Sequence, residues 1–276
     1  RMTHVQAHRG PDDSGAWDQH FSDGTYIGLG SRRLAILDLS SSGRMPMCNE
    51  DRTLWITYNG EIYNYRALRN ELVGQGYRFF SDTDTEVVLR LYERHGYECV
   101  KKLNGMFAFA VCDLRAGSRE LFLARDHFGV KPLYYWHRGN KLAFASEIKA
   151  LLEVPGIKAV LDPAALHQYL TFLWVPDPGT MFQNILKLPA GHYAIFRDED
   201  LRLTQYWDLT FPAKDFQYAD SEEELAHEIR DRFEQSVKDQ MVSDVPVGAF
   251  LSAGLDSSSI VAMMTRATNQ AVRTYT

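Results

Sequence analysis

A run of small and hydroxyl-bearing residues near the end of the chain has the composition of a phosphate-binding loop. Residues 252–258 read Ser-Ala-Gly-Leu-Asp-Ser-Ser and follow an apolar segment, 247–251, that predicts a strand. A second apolar segment, 260–264, predicts a helix, so backbone N–H groups and the positive helix end would point at one anion. Asp256 adds a carboxylate that could hold a magnesium ion on a pyrophosphate. The alternative is an ordinary strand–turn–helix whose serines only cap the helix.

Three features in the first part of the chain could bind a polar substrate. Asn59-Gly60 follows directly on the predicted strand 54–58, where a side-chain amide and a backbone N–H could form an oxyanion hole. Arg33 could bind a carboxylate through two hydrogen bonds, and Asp84, at a predicted helix start, could hold an ammonium beside the Gly60 carbonyl. Each feature has a simpler interpretation: a hairpin turn for Asn59-Gly60, a surface charge for Arg33 and a helix cap for Asp84.

Composition narrows the classes of protein to be considered. The 276 residues carry a net charge of −6 and show no basic cluster, which argues against a nucleic-acid partner. No apolar run approaches the length of a membrane span, and the first residues do not resemble a signal peptide, so we expect no membrane partner. The three cysteines, Cys48, Cys99 and Cys112, lack metal-ligand spacing and indicate a reducing cytoplasm.

The hydrophobic pattern predicts sheets that are covered by helices. Residues 26–30 and 34–37 are strand-like, and two amphipathic helices follow, one capped by Asn64 and one over residues 86–92. Four further strands are predicted at 107–112, 121–124, 133–136 and 142–144. Helices followed by antiparallel strands favour a layered α/β architecture.

The last quarter of the chain has the pattern of a separate domain. A polar and aromatic stretch without clear period ends at Asp220 and is interpreted as a linker. Ser221 and Glu224 then predict a capping box at the start of a helix. We expect the apolar stripe along that helix to pack into a core; its members are Leu225, Ile229, Phe233, Val237 and Met241.

These motifs resemble those of known families. The loop at 252–258 is similar to the pyrophosphate loop of N-type ATP pyrophosphatases, which usually has glycine where this chain has Ala253. The first part of the chain resembles the class II glutamine amidotransferases in six motifs that occur in the family order: 8–12, 33–38, 59–64, 82–86, 104–108 and 125–129. With residues 131–134, 146–150 and the loop, the whole chain resembles the glutamine-hydrolysing asparagine synthetases.

The resemblance implies an α/β (α+β) fold in two domains. Residues 1–207 would form an N-terminal-nucleophile hydrolase αββα sandwich, the class II glutamine amidotransferase domain. Residues 208–220 would be a linker. Residues 221–276 would be the first strand, loop and helix of a Rossmann-like ATP pyrophosphatase domain.

The resemblance also implies roles for individual residues. Asn59 and Gly60 would form the oxyanion hole. The glutamine pocket would comprise Arg33, Leu34, Ala35, Ile36, Leu37, Asn59, Gly60, Glu61 and Asp84. The nucleotide would contact Leu251, Ser252, Gly254, Asp256, Ser257 and Ser258, and Asp256 would also hold Mg²⁺. No catalytic role is implied for Arg125, Asp126, Lys131 or Glu147, which a structural ion-pair network explains as well.

The reaction implied by the resemblance has two stages. Glutamine would be hydrolysed through a thioester, and the ammonia would amidate an aspartate that ATP has adenylated, with release of AMP and pyrophosphate. The expected cofactors are ATP and Mg²⁺, the other substrates are glutamine and aspartate, and a homodimer is left open as the assembly. The family nucleophile, an N-terminal cysteine, would precede Arg1, and the aspartate-binding residues would follow Thr276, so we expect this chain alone to be inactive.

Two alternatives to this reading stay open. The first keeps the fold and changes the acceptor to another carboxylate, such as a sugar acid or a peptide. The second is a non-catalytic binding module of the same fold.

Overall fold

The computed structural model describes residues 1–213 and 221–276, which divide into two compact units, Arg1–Asp208 and Leu209–Thr276. Of the predicted linker at 208–220, residues 214–220 lie outside the described residues.

The first unit is built mainly of antiparallel strands. They are β1 (Asp13–His20), β2 (Tyr26–Arg33), β3 (Met47–Cys48), β4 (Leu54–Ile62), β5 (Gly105–Asp113), β6 (Glu120–Arg125), β7 (Tyr134–Arg138), β8 (Lys141–Ala145), β9 (Ile185–Lys187), β10 (His192–Arg197) and β11 (Asp200–Gln205). A six-stranded sheet has the order β11-β10-β6-β5-β4-β3, and β8-β7-β9 and β1-β2 form smaller sheets. The central strand β5 is buried throughout its last seven residues, because the chain there is almost continuously apolar.

Helices flank these sheets. They are α1 (Tyr65–Gly74), α2 (Asp84–His95), α3 (Ile148–Leu151) and α4 (Pro163–Phe172), with a 3₁₀ helix at His4–Arg9. α2 packs on β4, and α1 packs on α2 through a buried stripe that includes Leu68 and Leu72. Asn64 precedes α1 as predicted but does not cap it, because its side chain bonds the backbone of Lys102 and Asn104 instead.

Alternation along β7 shows how the layers stack. Tyr135 faces the six-stranded sheet in a cluster with Ala110 of β5, Leu123 of β6 and Ala194 of β10. Its neighbours, Tyr134 and Trp136, pack on the opposite side against the cluster around α3. Successive side chains of a strand point to opposite faces, so the order of layers is helices, sheet, sheet, helix. The predicted αββα sandwich is confirmed.

The second unit contains α5 (Glu222–Gln240), β12 (Gly248–Phe250), α6 (Leu255–Ala267) and β13 (Arg273–Tyr275). β12 and β13 pair directly and in parallel, α6 connects them in sequence, and α5 packs on α6. The capping box of Ser221 and Glu224 is present with both hydrogen bonds. Of the predicted core stripe, Val237 is buried but Ile229 is 68% exposed, so the stripe is only partly covered in this unit.

A membrane-spanning helix must be both long and apolar. Across residues 1–213 and 221–276, none combines the two.

Candidate active site

Asn59 and Gly60 lie inside strand β4, which corrects the prediction that they follow a strand. Asn59 is paired with Ala108 and Gly60 with Phe107 of β5, so the hairpin-turn alternative is wrong. A β-carbon on Gly60 would come within 2.3 Å of the Met106 carbonyl oxygen. Glycine is therefore required for the close approach of these two strands.

The backbone N–H of Gly60 points away from β5. On the far side of β5, the Phe107 N–H donates to the Asp126 carboxylate and the Phe107 carbonyl accepts the Asp126 N–H. Both backbone groups of Phe107 are thus used there, so its pairing with Gly60 is of the non-hydrogen-bonded kind. Gly60 therefore directs its N–H and carbonyl to the other side of β4, beyond the end of the short strand β3. Ile62, two residues later, points the same way and donates its N–H to Asp84.

The Asn59 side chain supplies a buried donor without an acceptor. It lines a cavity of about 870 Å³, together with residues of β2, β5 and β8. Its amide nitrogen Nδ2 is buried and has no hydrogen-bond partner among the described residues. Such an orphaned polar group costs about 1–3 kcal/mol, and native proteins retain few of them. Asn59 thus lines the cavity and carries a buried amide N–H whose hydrogen-bonding capacity the described residues leave unused.

Arg33 ends β2 and shapes the loop that follows. Its guanidinium donates to the backbone carbonyls of Leu37 at 2.9 Å, Asp38 at 2.5 Å and Ser40 at 3.0 Å. Arg33 is buried, so its interpretation as a surface charge is wrong. Three of its five N–H groups are used on the loop, and its pairing with a substrate carboxylate stays a prediction.

The loop after Arg33 replaces a predicted strand. Residues 34–37 have no regular structure, which corrects the strand expected there. Leu34 is exposed, Ala35 donates its N–H to Asp12 at 2.8 Å, Ile36 is half-buried and Leu37 is buried. The apolar run suggested a strand, but the Arg33 side chain bonds the Leu37 carbonyl and the carbonyls of Asp38 and Ser40 beyond it, which holds the segment as a loop.

The loop that follows Arg33, residues 34–40, contacts the segment just before α2. Asp38 accepts the N–H of Asp82 at 2.9 Å. A β-carbon on Gly43 would lie within 2.6 Å of the Arg33 guanidinium carbon and 2.8 Å of the Thr83 methyl carbon, so both side chains lie against Gly43. The structure therefore brings the end of β2 and the start of α2 together.

Asp84 is a buried anchor and not a helix cap. The cap of α2 is Thr83, whose hydroxyl accepts the N–H of Glu86, so the helix-cap alternative for Asp84 is wrong. Asp84 is 4% exposed, and its Oδ2 accepts the Tyr58 hydroxyl at 2.6 Å and the Ile62 N–H at 2.8 Å. These bonds hold the carboxylate against the stretch of β4 that carries Asn59 and Gly60.

Two carboxylates in this region resist ionisation. Burial raises the pKa of Glu61, the nearby Asp84 raises it further, and the positive charge of Lys131 lowers it. Burial also raises the pKa of Asp84, although the hydrogen bonds from Tyr58 and Ile62 lower it. An arriving ammonium would stabilise both ionised forms, so the pair is suited to a cationic group on a ligand.

The three cysteines provide no activated thiol. All are unpaired, and Cys99 and Cys112 are buried. Burial raises the pKa of the Cys48 and Cys99 thiols, and it raises the pKa of Cys112 to about 12. Thiolates are the reactive form, so none of these side chains has the electrostatic environment of a nucleophile.

In the second unit, the loop predicted to bind phosphate joins β12 to α6. Leu251 donates its N–H to the Tyr275 carbonyl at 2.8 Å, which ties the start of the loop to β13. α6 begins at Leu255, earlier than predicted, so residues 256–258 form its first turn. The cap position is Gly254 and has no side-chain cap bond, so the alternative that the serines only cap the helix is wrong.

Serine hydroxyls close this loop on itself. Ser257 accepts the Ser252 N–H at 3.1 Å, and the two hydroxyls lie 2.9 Å apart. The Ser258 hydroxyl donates to the Gly254 carbonyl at 2.9 Å. Ala253 has no positive φ, so alanine is accommodated there without backbone strain.

Asp256 is the carboxylate of this loop and lies exposed in the first turn of α6. Among the residues that the structure describes, no group of three or more His, Cys, Asp or Glu side chains could enclose a metal ion. Protein-bound Mg²⁺ usually has one or two carboxylates and completes its shell with water and substrate phosphates. A single carboxylate therefore fits a magnesium ion that arrives with a nucleotide.

Comparison with known proteins identifies the first unit. A family model described as a glutamine amidotransferase domain matches residues 1–207. The chain belongs to this family. Behind the amidotransferase domain, an asparagine synthase family model matches residues 228–276.

Three relatives are similar to nearly the whole of this amidotransferase chain. An asparagine synthetase [glutamine-hydrolyzing] of Bacillus subtilis is 42% identical over 95% of this chain and 40% of its own length. A putative asparagine synthetase of Methanocaldococcus jannaschii is 39% identical over 96% of this chain and 53% of its own. The amidase chry2 of Gibberella zeae is 37% identical over 97% of this chain and 38% of its own. The chain thus spans about half or less of these relatives' lengths.

A solved structure supports the fold. Glutamine phosphoribosylpyrophosphate amidotransferase from B. subtilis superposes with a TM-score of 0.52 at 17% identity, and covers 99% of this amidotransferase chain and 61% of its own.

Sequence reasoning gave no role to two residues near the candidate site. Tyr58 bonds Asp84, and Lys131 acts electrostatically on Glu61. The first could have been expected, because Tyr58 directly precedes Asn59 and must point to the other face of the strand. The second depends on a loop between β6 and β7 that no local pattern places beside β4.

Proposed function

We propose that this chain is part of a glutamine-hydrolysing asparagine synthetase, and that its first unit forms the glutamine site, where the full-length protein hydrolyses the side-chain amide with the cysteine nucleophile expected before Arg1. Asn59 Nδ2 and the Gly60 N–H act as the oxyanion hole for the tetrahedral intermediate. The observation that carries this proposal is the buried Nδ2 without a partner. A donor that is already desolvated needs no reorganisation when the oxyanion forms, and this is the condition for strong transition-state stabilisation.

The neighbouring charges define the rest of the glutamine pocket. Glu61 and Asp84 receive the α-ammonium, whose positive charge favours the ionised form of both buried carboxylates. Arg33, with residues 34–37, receives the α-carboxylate at the loop that its guanidinium organises. The zwitterion would thus be held by two opposite charges on different elements, which fixes the amide at Asn59.

The second unit contributes a nucleotide site. The ends of β12 and α6 present Leu251, Ser252, Gly254, Ser257 and Ser258 to the phosphates of ATP. Asp256 would hold Mg²⁺, which neutralises charge on the pyrophosphate when it is bound. The product is asparagine, formed when ammonia from glutamine displaces AMP from adenylated aspartate. The unpaired cysteines fit a reducing cytoplasm as the location.

The experiment uses the full-length protein and follows two products separately. Glutamate release is measured with glutamine alone, and asparagine and pyrophosphate are measured after ATP, Mg²⁺ and aspartate are added. We expect glutamate in both mixtures and equal amounts of asparagine and pyrophosphate in the second. Absence of glutamate release would refute the assignment of the first unit, and absence of pyrophosphate with every acceptor would refute that of the second.

A second candidate changes only the acceptor. The fungal relative named an amidase matches this chain at 37% identity and over as much of its length as the synthetases do. The same two units could therefore serve amide formation on another carboxylate, such as a sugar acid or a peptide. Pyrophosphate release that requires such an acceptor and ignores aspartate would favour this candidate.

A further inference from the structure

The two charged ends of the proposed glutamine pocket lie on separate parts of the chain, and each end is fixed by its own hydrogen bonds. The loop 34–40 is held by the Arg33 guanidinium, which bonds three of its carbonyls. The Asp84 carboxylate is held against β4 by the Tyr58 hydroxyl and the Ile62 N–H. These two sets of bonds do not connect the loop to α2.

Residues 80–83, the segment just before α2, are tied to the first turn of that helix. The buried carboxylate of Glu86 accepts the N–H of Phe80 at 3.0 Å, and the N–H and hydroxyl of Ser81 at 2.8 Å and 2.7 Å. Arg69 of α1 donates to the Ser81 carbonyl at 2.6 Å and pairs with the Asp82 side chain at 3.1 Å. The position of this segment relative to Asp84 is therefore defined.

Asp38 connects the loop 34–40 to the segment 80–83. Its Oδ2 accepts the backbone N–H of Asp82 at 2.9 Å. Its Oδ1 accepts the N–H and the hydroxyl of Ser40, at 3.1 Å and 2.5 Å. Its own carbonyl accepts the Arg33 guanidinium. One residue thus bonds both the arginine that organises the loop and the segment that leads to Asp84.

The backbone and the charge of Asp38 both suit this connection. Its φ is 51°, in the left-handed region that few non-glycine residues adopt and that aspartate tolerates better than most. Non-glycine residues held in this region cluster at functional sites. Burial acts to raise the pKa of Asp38, but the hydrogen bonds from Ser40 and Asp82 and the charge of Arg33 together hold it below its usual value. The bond to Asp82 is therefore charge-assisted at neutral pH.

We propose that Asp38 is a positioning residue of the glutamine pocket, whose carboxylate joins the loop 34–40 to the segment 80–83 and so sets the spacing of the two charged ends of the pocket. This inference rests on the proposed function of the first unit, in which Arg33 receives the α-carboxylate and Asp84 the α-ammonium. A ligand with both groups gains from the second contact only when the two partners are correctly spaced. A ligand with one group needs one partner, whose own hydrogen bonds do not involve the Asp38 carboxylate.

The test uses the full-length protein, glutamine, and two inhibitors that each lack one charged end. Glutaramate is glutamine without the α-ammonium, and 4-aminobutanamide is glutamine without the α-carboxylate. Asp38→Gly removes the carboxylate and permits the same φ. We expect kcat/KM for glutamine to fall about tenfold, mainly through KM, which is the effect of one lost charge-assisted hydrogen bond. The inhibition constants of the two analogues should change by less than about twofold, and ammonia-dependent synthesis should be retained.

Two further variants serve as controls. Asn184→Gly is the matched one, because Asn184 is exposed and also has a positive φ, 62°. It should leave glutamine hydrolysis unchanged. Asp38→Asn tests the hydrogen bond itself, because asparagine tolerates the left-handed conformation and its amide oxygen can accept the Asp82 N–H. We expect this variant to keep most of the wild-type kcat/KM for glutamine.

The comparison of substrates separates positioning from general damage to the pocket. A loss in Asp38→Gly that is confined to glutamine, with recovery in Asp38→Asn, supports the inference. Equal weakening of glutamine and both analogues, an unchanged kcat/KM for glutamine, or an Asp38→Asn variant as impaired as Asp38→Gly would overturn it. Glutamate release by the wild type would still support the proposed function in each of these cases. A wild-type protein that does not hydrolyse glutamine would overturn both.

Discussion

Replacing Asn59 by alanine should impair catalysis without costing stability, a combination that distinguishes a catalytic donor from a structural one. The Nδ2 group of Asn59 makes no hydrogen bond in the folded protein, so its removal breaks none. It also relieves a desolvation cost of about 1–3 kcal/mol, which offsets the packing lost with the side chain. We therefore expect the free energy of unfolding to stay within about 1 kcal/mol of wild type.

Asn49 is the matched control because it is a buried asparagine whose side chain is fully used. Its Nδ2 donates to Thr53 and Glu93, and its Oδ1 accepts the N–H groups of Thr53 and Leu54. Asn49→Ala removes these four bonds and leaves the buried Leu54 N–H without an acceptor. We expect a loss of about 2–4 kcal/mol in stability and little change in the rate of glutamine hydrolysis.

The assay pairs urea unfolding with steady-state kinetics in the full-length protein. Unfolding of the first unit can be followed by tryptophan fluorescence, because Trp17 and Trp55 stack there with ring centroids 4.6 Å apart. Asn59→Ala should lower glutamine-dependent turnover by about 10²–10³, while ammonia-dependent synthesis is retained. Equal loss with both nitrogen sources, or a stability loss as large as that of Asn49→Ala, would refute the assignment of Asn59.

Three further predictions concern the neighbouring charges and the second unit. Tyr58→Phe removes the side-chain hydrogen bond to the buried Asp84 carboxylate and should cost about 1.5–3 kcal/mol in urea unfolding; a neutral result would mean that Asp84 is not ionised in the fold. Burial raises the pKa of Glu61 from 4.5 to about 8 in the folded state, so its ionisation makes the wild type lose stability as pH rises through that interval. Glu61→Gln cannot ionise, and its Tm should exceed that of wild type at pH 8 but not at pH 4; the opposite order would contradict the shift. Asp256→Ala should abolish synthesis with either nitrogen source and leave glutamate release intact, and retained pyrophosphate production would exclude the loop from ATP binding.

Local sequence patterns predicted the elements of the fold well where one periodicity dominated. The strand over 107–112 is buried along its length, and the capping box at Ser221 forms with both bonds, because these signals depend on neighbours in sequence. The stretch 34–37 is apolar like a strand but forms a loop, in which the Arg33 side chain bonds the carbonyls of Leu37 and, further on, Ser40. A side chain that competes with a neighbouring strand for backbone groups leaves no trace in hydrophobic periodicity.

The residue types of the candidate site could be predicted from the sequence, but the burial and hydrogen bonding of these residues could not. Motif resemblance selected Asn59 and Asp84, yet neither resemblance nor spacing could reveal that the Asn59 amide is desolvated and unpaired. Burial arises from the packing of the sheets around β4, and the anchoring of Asp84 by Tyr58 depends on a helix 22 to 26 residues away in sequence. Such contacts are tertiary, so the unpaired state of Asn59 and the anchoring of Asp84 required the structure.

Transfer of isotope from glutamine tests most directly the central claim, that one polypeptide releases nitrogen from an amide and places it on a carboxylate activated by ATP. The full-length protein would be incubated with glutamine labelled with ¹⁵N at the side-chain amide, together with ATP, Mg²⁺ and aspartate, and the product examined by mass spectrometry. The account predicts ¹⁵N in the newly formed amide, one pyrophosphate per amide, and loss of the label with Asn59→Ala while unlabelled ammonia is still used. Glutamine that stays intact while the amide forms from free ammonia alone would contradict it.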